Sequence, residues 1–241
     1  MRVITVNKPA SLDNLAVSET ADPAPGNGEI LVQWRASSLN YHDYLVANGS
    51  LPVVDGRIPL SDGAGDILAV GDGVTKWQVG DKVMSAFFPN WVEGNANKAK
   101  TLALLGDTVD GCAVEKSCLS QDSVTAIPKD YSYAEAATLP CAALTAWRAL
   151  IVEGGLQAGD TVLVEGSGGM SVFALQIAKA AGAYVYATTS TDDKFEQLKS
   201  LGADVVINYK TDPKWGVTIN KLSGGGVDHV LDIGGGHTLA N

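Results

Sequence analysis

Six residues, Gly166-Ser167-Gly168-Gly169-Met170-Ser171, carry the plainest chemistry in this 241-residue chain. They follow an apolar run, Thr161-Val162-Leu163-Val164-Glu165, and precede an Ala-rich helical pattern that ends at Gly182. A tight glycine turn between a strand and a helix lets backbone approach a pyrophosphate, and the helix N-terminus then meets its charge. Ser171 stands where the fingerprint has a third glycine, and serine is small enough for close helix–strand packing. The expected ligand is a nicotinamide dinucleotide seated on Gly166, Ser167, Gly168, Gly169 and Met170. The alternative is an ordinary strand–turn–helix connection.

Cofactor choice is read one strand further on. NAD-binding folds keep Asp or Glu about 20 residues after the turn to hold the ribose 2′-hydroxyl. Here that place reads Thr188-Thr189-Ser190. No carboxylate stands there to repel a 2′-phosphate, and Ser190, Lys194 and Tyr209 are candidates to hold one. NADPH is therefore expected in preference to NADH. The plain alternative is a solvated helix start with a surface lysine.

These residues need a frame, and the frame changes along the chain. Up to about residue 126, short strands and turns alternate as in an all-β unit. Glu29–Arg35 follows the turn Pro25-Gly26-Asn27-Gly28, Gly65–Gly71 is a second strand, and Lys82–Phe87 a third. The stretch from Pro89 to Asp110 reads as a surface excursion. From Ser132 to Val152 the pattern is helical. Then strands at 161–165, 184–188, 205–208 and 227–233 alternate with helices, which implies a parallel sheet. A Ser190/Asp193 capping box is expected to start the second helix, and Asp212-Pro213 the third. The fold class is α/β, with an all-β part over 1–126 and a dinucleotide-binding part over 127–241.

Bulk properties exclude several classes. The formal net charge is −10, with 27 acidic and 17 basic residues and no basic run, so nucleic acid is not an expected partner. No apolar run approaches the roughly 20 residues of a membrane span. Cys112, Cys118 and Cys141 are odd in number and lack C-x-x-C spacing, so neither a disulfide framework nor a structural zinc site is expected, and a reducing, cytoplasmic compartment fits.

With both halves in view, the chain resembles the medium-chain dehydrogenase/reductase superfamily, and within it the zinc-independent quinone-oxidoreductase-like branch. The N-terminal half is similar at Pro25–Glu29, at Ser61-Asp62-Gly63-Ala64-Gly65 and at Val79-Gly80-Asp81-Lys82-Val83. The join is similar at Ala136–Trp147, and the cofactor half at the glycine turn, Leu201–Tyr209 and Gly226–Val230. The resemblance implies a GroES-like β-barrel catalytic domain and a partial Rossmann doubly wound sheet.

It also implies a site. Zinc alcohol dehydrogenases of this superfamily hold zinc with a cysteine, the histidine of a G-H-E motif and a third residue near the domain junction. Asn40, Ser61 and Asp62 stand at the cysteine, histidine and glutamate positions, with Cys141 at the third. One sulfur beside an amide and a hydroxyl falls short of a zinc site, so no metal is expected and Cys141 reads as a small buried residue. A carbonyl or enone must then be polarised by hydrogen bonds or a proton donor. His42 is the candidate donor and Asn40 the orienting amide, with Asp62 beside them; the alternative is a surface histidine next to a structural Asn. The resemblance places Thr145 against the nicotinamide amide, and Phe87, Phe88 and Trp91 are candidates to wall an apolar pocket. His229 reads as structural.

The expected reaction is hydride transfer from NADPH to a quinone, an enone or another activated C=C or C=O. Two alternatives stand beside it: a zinc-type alcohol dehydrogenase, and a nucleotide-binding protein without turnover. A six-stranded cofactor sheet is expected of the family, and only four strands are found, in the order 3-2-1-4. The sequence-level expectation is thus of a C-terminally truncated cofactor domain that binds weakly, turns over little, and self-associates through the exposed edge of its fourth strand.

Overall fold

In the computed structural model of the chain, residues 1–236 and Thr238 are described; His237, for which the sequence suggested no role, lies outside them. The chain divides into two compact units, Met1–Cys141 and the residues from Ala142 on.

Period-two alternation builds the first unit. A hairpin of β1 (Arg2–Val6) and β2 (Leu15–Glu19) is joined through the 113–115 segment to a separate five-stranded antiparallel sheet. That sheet contains β3 (Glu29–Ser38), β4 (Asp62–Val70), β5 (Lys82–Ser85), β6 (Lys116–Ser120) and β7 (Val124–Ala126), in the order β6-β3-β4-β5-β7. Ile30 and Val32 of β3 meet Ile67, Val83 and Val124 in its core. Fully burying a side chain of this size contributes about 1.5–3 kcal/mol.

Two details of this sheet set up the candidate site. The β3–β4 register slips near Trp34/Ala36, and there Gly65 passes so close to β3 that an added Cβ would lie 2.0 Å from the Gln33 carbonyl oxygen. Glycine is required by that approach. Beyond the slip, Ser38 pairs with Asp62, so the end of β3 and the start of β4 lie side by side. The chain leaves β3 through Asn40 into the helix α1 (Tyr41–Ala47). The stretch from Pro89 to Asp110 is more anchored than a surface excursion: it holds a short helix, α2 (Lys98–Thr101), and buries Ala103 and Leu105.

The join is helical as expected but not uniformly α. After α3 (Tyr133–Ala136), Leu139–Ala143 is a π turn, α4 (Leu144–Trp147) follows, and Arg148–Glu153 is π again. Pro140 explains the first widening, because proline lacks an N–H and its ring clashes with the carbonyl a turn earlier. The α3 segment belongs to the first unit: Ala136 and Ala137 pack with Ala64, and the Tyr133 hydroxyl bonds Asp66.

The second unit is a parallel sheet of β8 (Thr161–Val164), β9 (Tyr184–Thr189), β10 (Val205–Asn208) and β11 (His229–Leu231), ordered β10-β9-β8-β11 among the described residues. Alternate residues feed opposite faces. Val162, Val164, Val185 and Ala187 pack under α5 (Gly169–Ala180) and α6 (Phe195–Ser200), whereas Leu163, Tyr186 and Ile207 pack against Trp215 and Ile219 of α7 (Trp215–Leu222). Both faces are covered, as a doubly wound sheet requires.

Three boundaries differ from the sequence reading. The cap after β9 is Thr191, whose hydroxyl accepts from the Asp193 N–H, and not Ser190. Helix α7 starts at Trp215 because the Asp212 carboxylate draws the Lys214 N–H and the Thr218 hydroxyl to itself. Strand β11 is shorter than 227–233: Asp228 accepts from the Thr161 N–H and hydroxyl before it, and Asp232 turns into the Gly234–Gly235 backbone after it.

Candidate functional site

In the second unit, the glycine turn joins β8 to α5 in the arrangement expected from sequence. Gly166 adopts φ +77°, a conformation that side chains disfavour. An added Cβ at Gly168 or Gly169 would meet nothing within 4 Å, so the turn is an open cradle at the head of a twelve-residue helix. Ser171 justifies its place: 2% exposed, it donates from its hydroxyl to the Glu165 carbonyl, tying the first helical turn to the end of β8.

Hydroxyls brace the turn from β9. The Gly166 N–H donates to Thr188 Oγ1 at 2.9 Å, and Ser167 Oγ lies 3.3 Å from Thr189 Oγ1. Lys194 Nζ donates to Ser167 Oγ at 3.1 Å, which brings a cation to the rim where the sequence lacked a carboxylate. Tyr209 lines a cleft of about 380 Å³ with Glu165, Gly166, Thr188, Trp215 and Gly234. Ser190 is half-buried beside Thr189. The residues present therefore fit a dinucleotide: backbone open at the cradle, a helix N-terminus behind it and a lysine at the rim.

Two expected cofactor residues sit differently. The Met170 side chain packs toward the sheet core, leaving its backbone to the turn. Thr145 is exposed on α4 and does not line this cleft. His229 is structural, with Nε2 3.0 Å from Asp160. Sequence reasoning missed Thr188, Thr189 and Glu165. The two threonines were in view only as the place where an acid was missing.

In the first unit, Asn40, Ser61 and Asp62 converge as the resemblance implied. Asn40 Nδ2 donates to Asp62 Oδ2 at 3.0 Å and to Ser61 Oγ at 3.2 Å. The Ser61 hydroxyl donates to Asp62 Oδ1, and the Cys141 N–H to Asp62 Oδ2. Asp43 closes the group by accepting from the Asn40 and Ser61 N–H groups. Asp62 is fully buried, and that burial pushes its carboxyl up to about 6 against the pull of the Asn40 and Ser61 hydrogen bonds. Burial likewise pushes the Cys141 thiol up to about 12, so it stays a thiol at neutral pH. Asp43 and Ser61 had no sequence signal as partners of Asn40 beyond their nearness to it and to Asp62.

This donor set does not fit zinc. Zinc is held by thiolate, imidazole or carboxylate ligands, whereas two of the positions here carry an amide and a hydroxyl, whose hydrogens are committed within the group. Among the described residues no three His, Cys, Asp or Glu side chains form a metal-holding group. His42 turns elsewhere: Nε2 lies 2.9 Å from Asp107 Oδ2, and its ring meets the edge of Phe87. Phe87, Phe88 and Trp91 continue as an aromatic row.

Comparison with known proteins agrees with this architecture. Residues 26–129 match the alcohol dehydrogenase GroES-like domain, and 169–241 match the zinc-binding dehydrogenase family. A zinc-type alcohol dehydrogenase-like protein of Schizosaccharomyces pombe is 42% identical, over 99% of this chain and 71% of its own length. The structure of a candidate alcohol dehydrogenase from Sinorhizobium meliloti 1021 superposes with a TM-score of 0.90 at 39% identity, over 98% of this chain and 70% of that one. A quinone oxidoreductase from Coxiella burnetii superposes with a TM-score of 0.77 at 29% identity, over 98% of this chain and 69% of its own. The chain belongs to the medium-chain dehydrogenase/reductase superfamily, the family of zinc-type alcohol dehydrogenases, and is an NAD(P)-dependent oxidoreductase of that type. The relatives' names favour the alcohol-dehydrogenase-like alternative over the quinone-reductase branch that the sequence put first.

Proposed function

We propose that this oxidoreductase interconverts an alcohol and a carbonyl, or reduces an activated alkene such as an enone or quinone, with NADPH and without zinc. The bound dinucleotide supplies or accepts the hydride. The observation that carries the cofactor half of this reading is the open cradle at Gly168–Gly169 with Lys194 at its rim. Lys194 and Ser190 would hold the 2′-phosphate, and charge-assisted bonds of this kind contribute about 1.5–3 kcal/mol each.

The metal-free half rests on Asn40, Ser61 and Asp62, whose donors and acceptors satisfy one another. Asp62 is too buried to touch substrate; its part is to hold the Asn40 amide. Proton transfer falls to His42, whose ring Asp107 fixes through Nε2. Self-association belongs to the same reading, because β11 pairs only with β8 among the described residues and its central residue, Val230, is 54% exposed.

A panel of alcohols, aldehydes, enones and quinones, run with both cofactors alongside elemental analysis, tests this. Turnover with NADPH at sub-stoichiometric zinc is the expected result. One zinc per chain, with activity lost to a chelator, would establish the zinc-type reading that the Schizosaccharomyces pombe relative favours. Dinucleotide binding without turnover on any substrate would mark a nucleotide-binding protein.

A further inference from the structure

Two acids lie at the strand ends beside the glycine turn, and Glu165 lines the cleft. Glu165 is the last residue before the glycine turn, 6% exposed, and its Oε2 is buried without a hydrogen-bond partner. Asp232 follows β11, and the ladder that pairs Leu231 with Val164 carries the two acids to adjacent strand ends, where the Glu165 N–H donates to the Leu231 carbonyl. Asp232 Oδ1 is saturated, accepting from the Gly234 and Gly235 N–H groups and the Thr238 hydroxyl. Its Oδ2 is buried and, like Glu165 Oε2, has no donor.

Two buried acceptors with no donor between them are unfavourable, since each loses its water and gains nothing. A single proton resolves both, with a protonated Glu165 Oε2 donating to Asp232 Oδ2. The division of labour follows from the surroundings. Three donors hold Asp232 below the usual carboxylate range, with the Thr238 hydroxyl the largest influence. Burial, then the Asp232 charge, pushes Glu165 up to about 7.

We propose that Glu165 and Asp232 share one proton at the end of the glycine turn, and that dinucleotide binds with uptake of that proton near neutral pH. The inference rests on the cofactor reading above. The physical reason is charge. A pyrophosphate on the Gly166–Gly169 turn would sit beside the pair; with the proton the pair carries one negative charge, without it two. Among the described residues that line the cleft with Glu165 there is no cation. Among the described residues lining the cleft, β9 contributes Thr188, the segment after β10 the phenol of Tyr209, α7 the indole of Trp215, and the loop after β11 Ile233, Gly234 and Thr238. The positive influences nearby are Lys194, held at the rim on Ser167, and the N-terminus of α5, and both favour the pyrophosphate and a deprotonated Glu165 alike. An anionic ligand thus raises the proton affinity of Glu165, and by linkage the protonated form binds the ligand more tightly.

NADH is the probe of choice, because its pyrophosphate does not titrate between pH 6 and 9. Its dissociation constant for the parent chain should rise above pH 7, approaching about tenfold per pH unit for one linked proton. Glu165→Gln keeps a donor toward Asp232 and cannot ionise, so its affinity should stay flat over the same range and exceed the parent's at pH 9. Calorimetry at pH 7.5 in two buffers of different ionisation enthalpy should show proton uptake by the parent and none by the variant. If Glu165→Gln fails to fold, Asp232→Asn serves, because it removes the charge that holds the proton on Glu165. NADH binding with equal pH slopes in parent and variant, or with no proton uptake by the parent, overturns the proposal and leaves the cofactor reading standing. Failure of both proteins to bind NADH or NADPH at any pH overturns the two together.

Discussion

The polar cluster of the first unit and the glycine turn of the second treat their polar groups in opposite ways. Around Asn40, Ser61, Asp62 and Asp43, each amide hydrogen and carboxylate oxygen that the geometry resolves has a partner within the unit. At the glycine turn, backbone stands open at Gly168 and Gly169, and two buried carboxylate oxygens have no donor. A closed network of hydrogen bonds fixes geometry and asks for nothing more. An open one is incomplete until something binds. The difference separates a supporting site in the first unit from a receiving site in the second, although both stand where the family resemblance drew attention.

The largest expected effect lies at His42, which turns away from the closed group toward Asp107 and is the one residue proposed to bring chemistry to the first unit. Replacing it by alanine should lower turnover by about 10²–10⁴-fold with NADPH affinity nearly unchanged. An unaltered rate, with chemistry shown to limit turnover, would leave the first unit a purely structural role. Next in size, Gly169→Asp brings a carboxylate to the cradle at a position where an added Cβ meets nothing within 4 Å. Dinucleotide affinity should fall by about 10²-fold or more, as like charges opposed in a site cost several kcal/mol, while thermal stability holds. A folded variant that binds as the parent does would show that the cradle is not where the pyrophosphate sits.

Asp62→Ala attacks the closed group directly. It strands the Asn40 amide, the Ser61 hydroxyl and the Cys141 N–H, and should lower unfolding free energy by about 2–4 kcal/mol in urea titration. Acid should partly relieve the parent: a carboxyl raised from 3.8 to about 6 in the fold contributes stability below pH 4 that is lost as pH climbs through 6. Parent and variant stabilities should therefore diverge more at pH 4 than at pH 8. Smallest, Lys194→Ala should narrow the NADPH-over-NADH preference about tenfold by weakening NADPH alone, read from the two dissociation constants.

Much of this was legible in the sequence, because periodicity and glycine placement report backbone. The turn at Gly166–Gly169 and the helix end at Gly182 follow from local pattern, and the strand order β10-β9-β8-β11 follows from the order expected of a dinucleotide-binding fold. What stayed hidden depends on partners distant in sequence. Nothing near Thr188 says that its hydroxyl receives the Gly166 N–H, and nothing near Glu165 announces Asp232. The choice of Ser190 over Thr191 as cap failed for a smaller reason: two adjacent hydroxyl residues are equally good caps, and the end of β9 decides between them.

The mutual satisfaction of Asn40, Ser61 and Asp62 also bears on how such a site can be rebuilt. Installing a metal centre of the family's type would need Asn40→Cys, Ser61→His and Asp62→Glu together. Each change alone removes at least one hydrogen bond of the group while the rest stays in place, so the cost of one substitution depends on whether its neighbours have also changed. The three positions are thus coupled, and double-mutant cycles among them should depart from additivity.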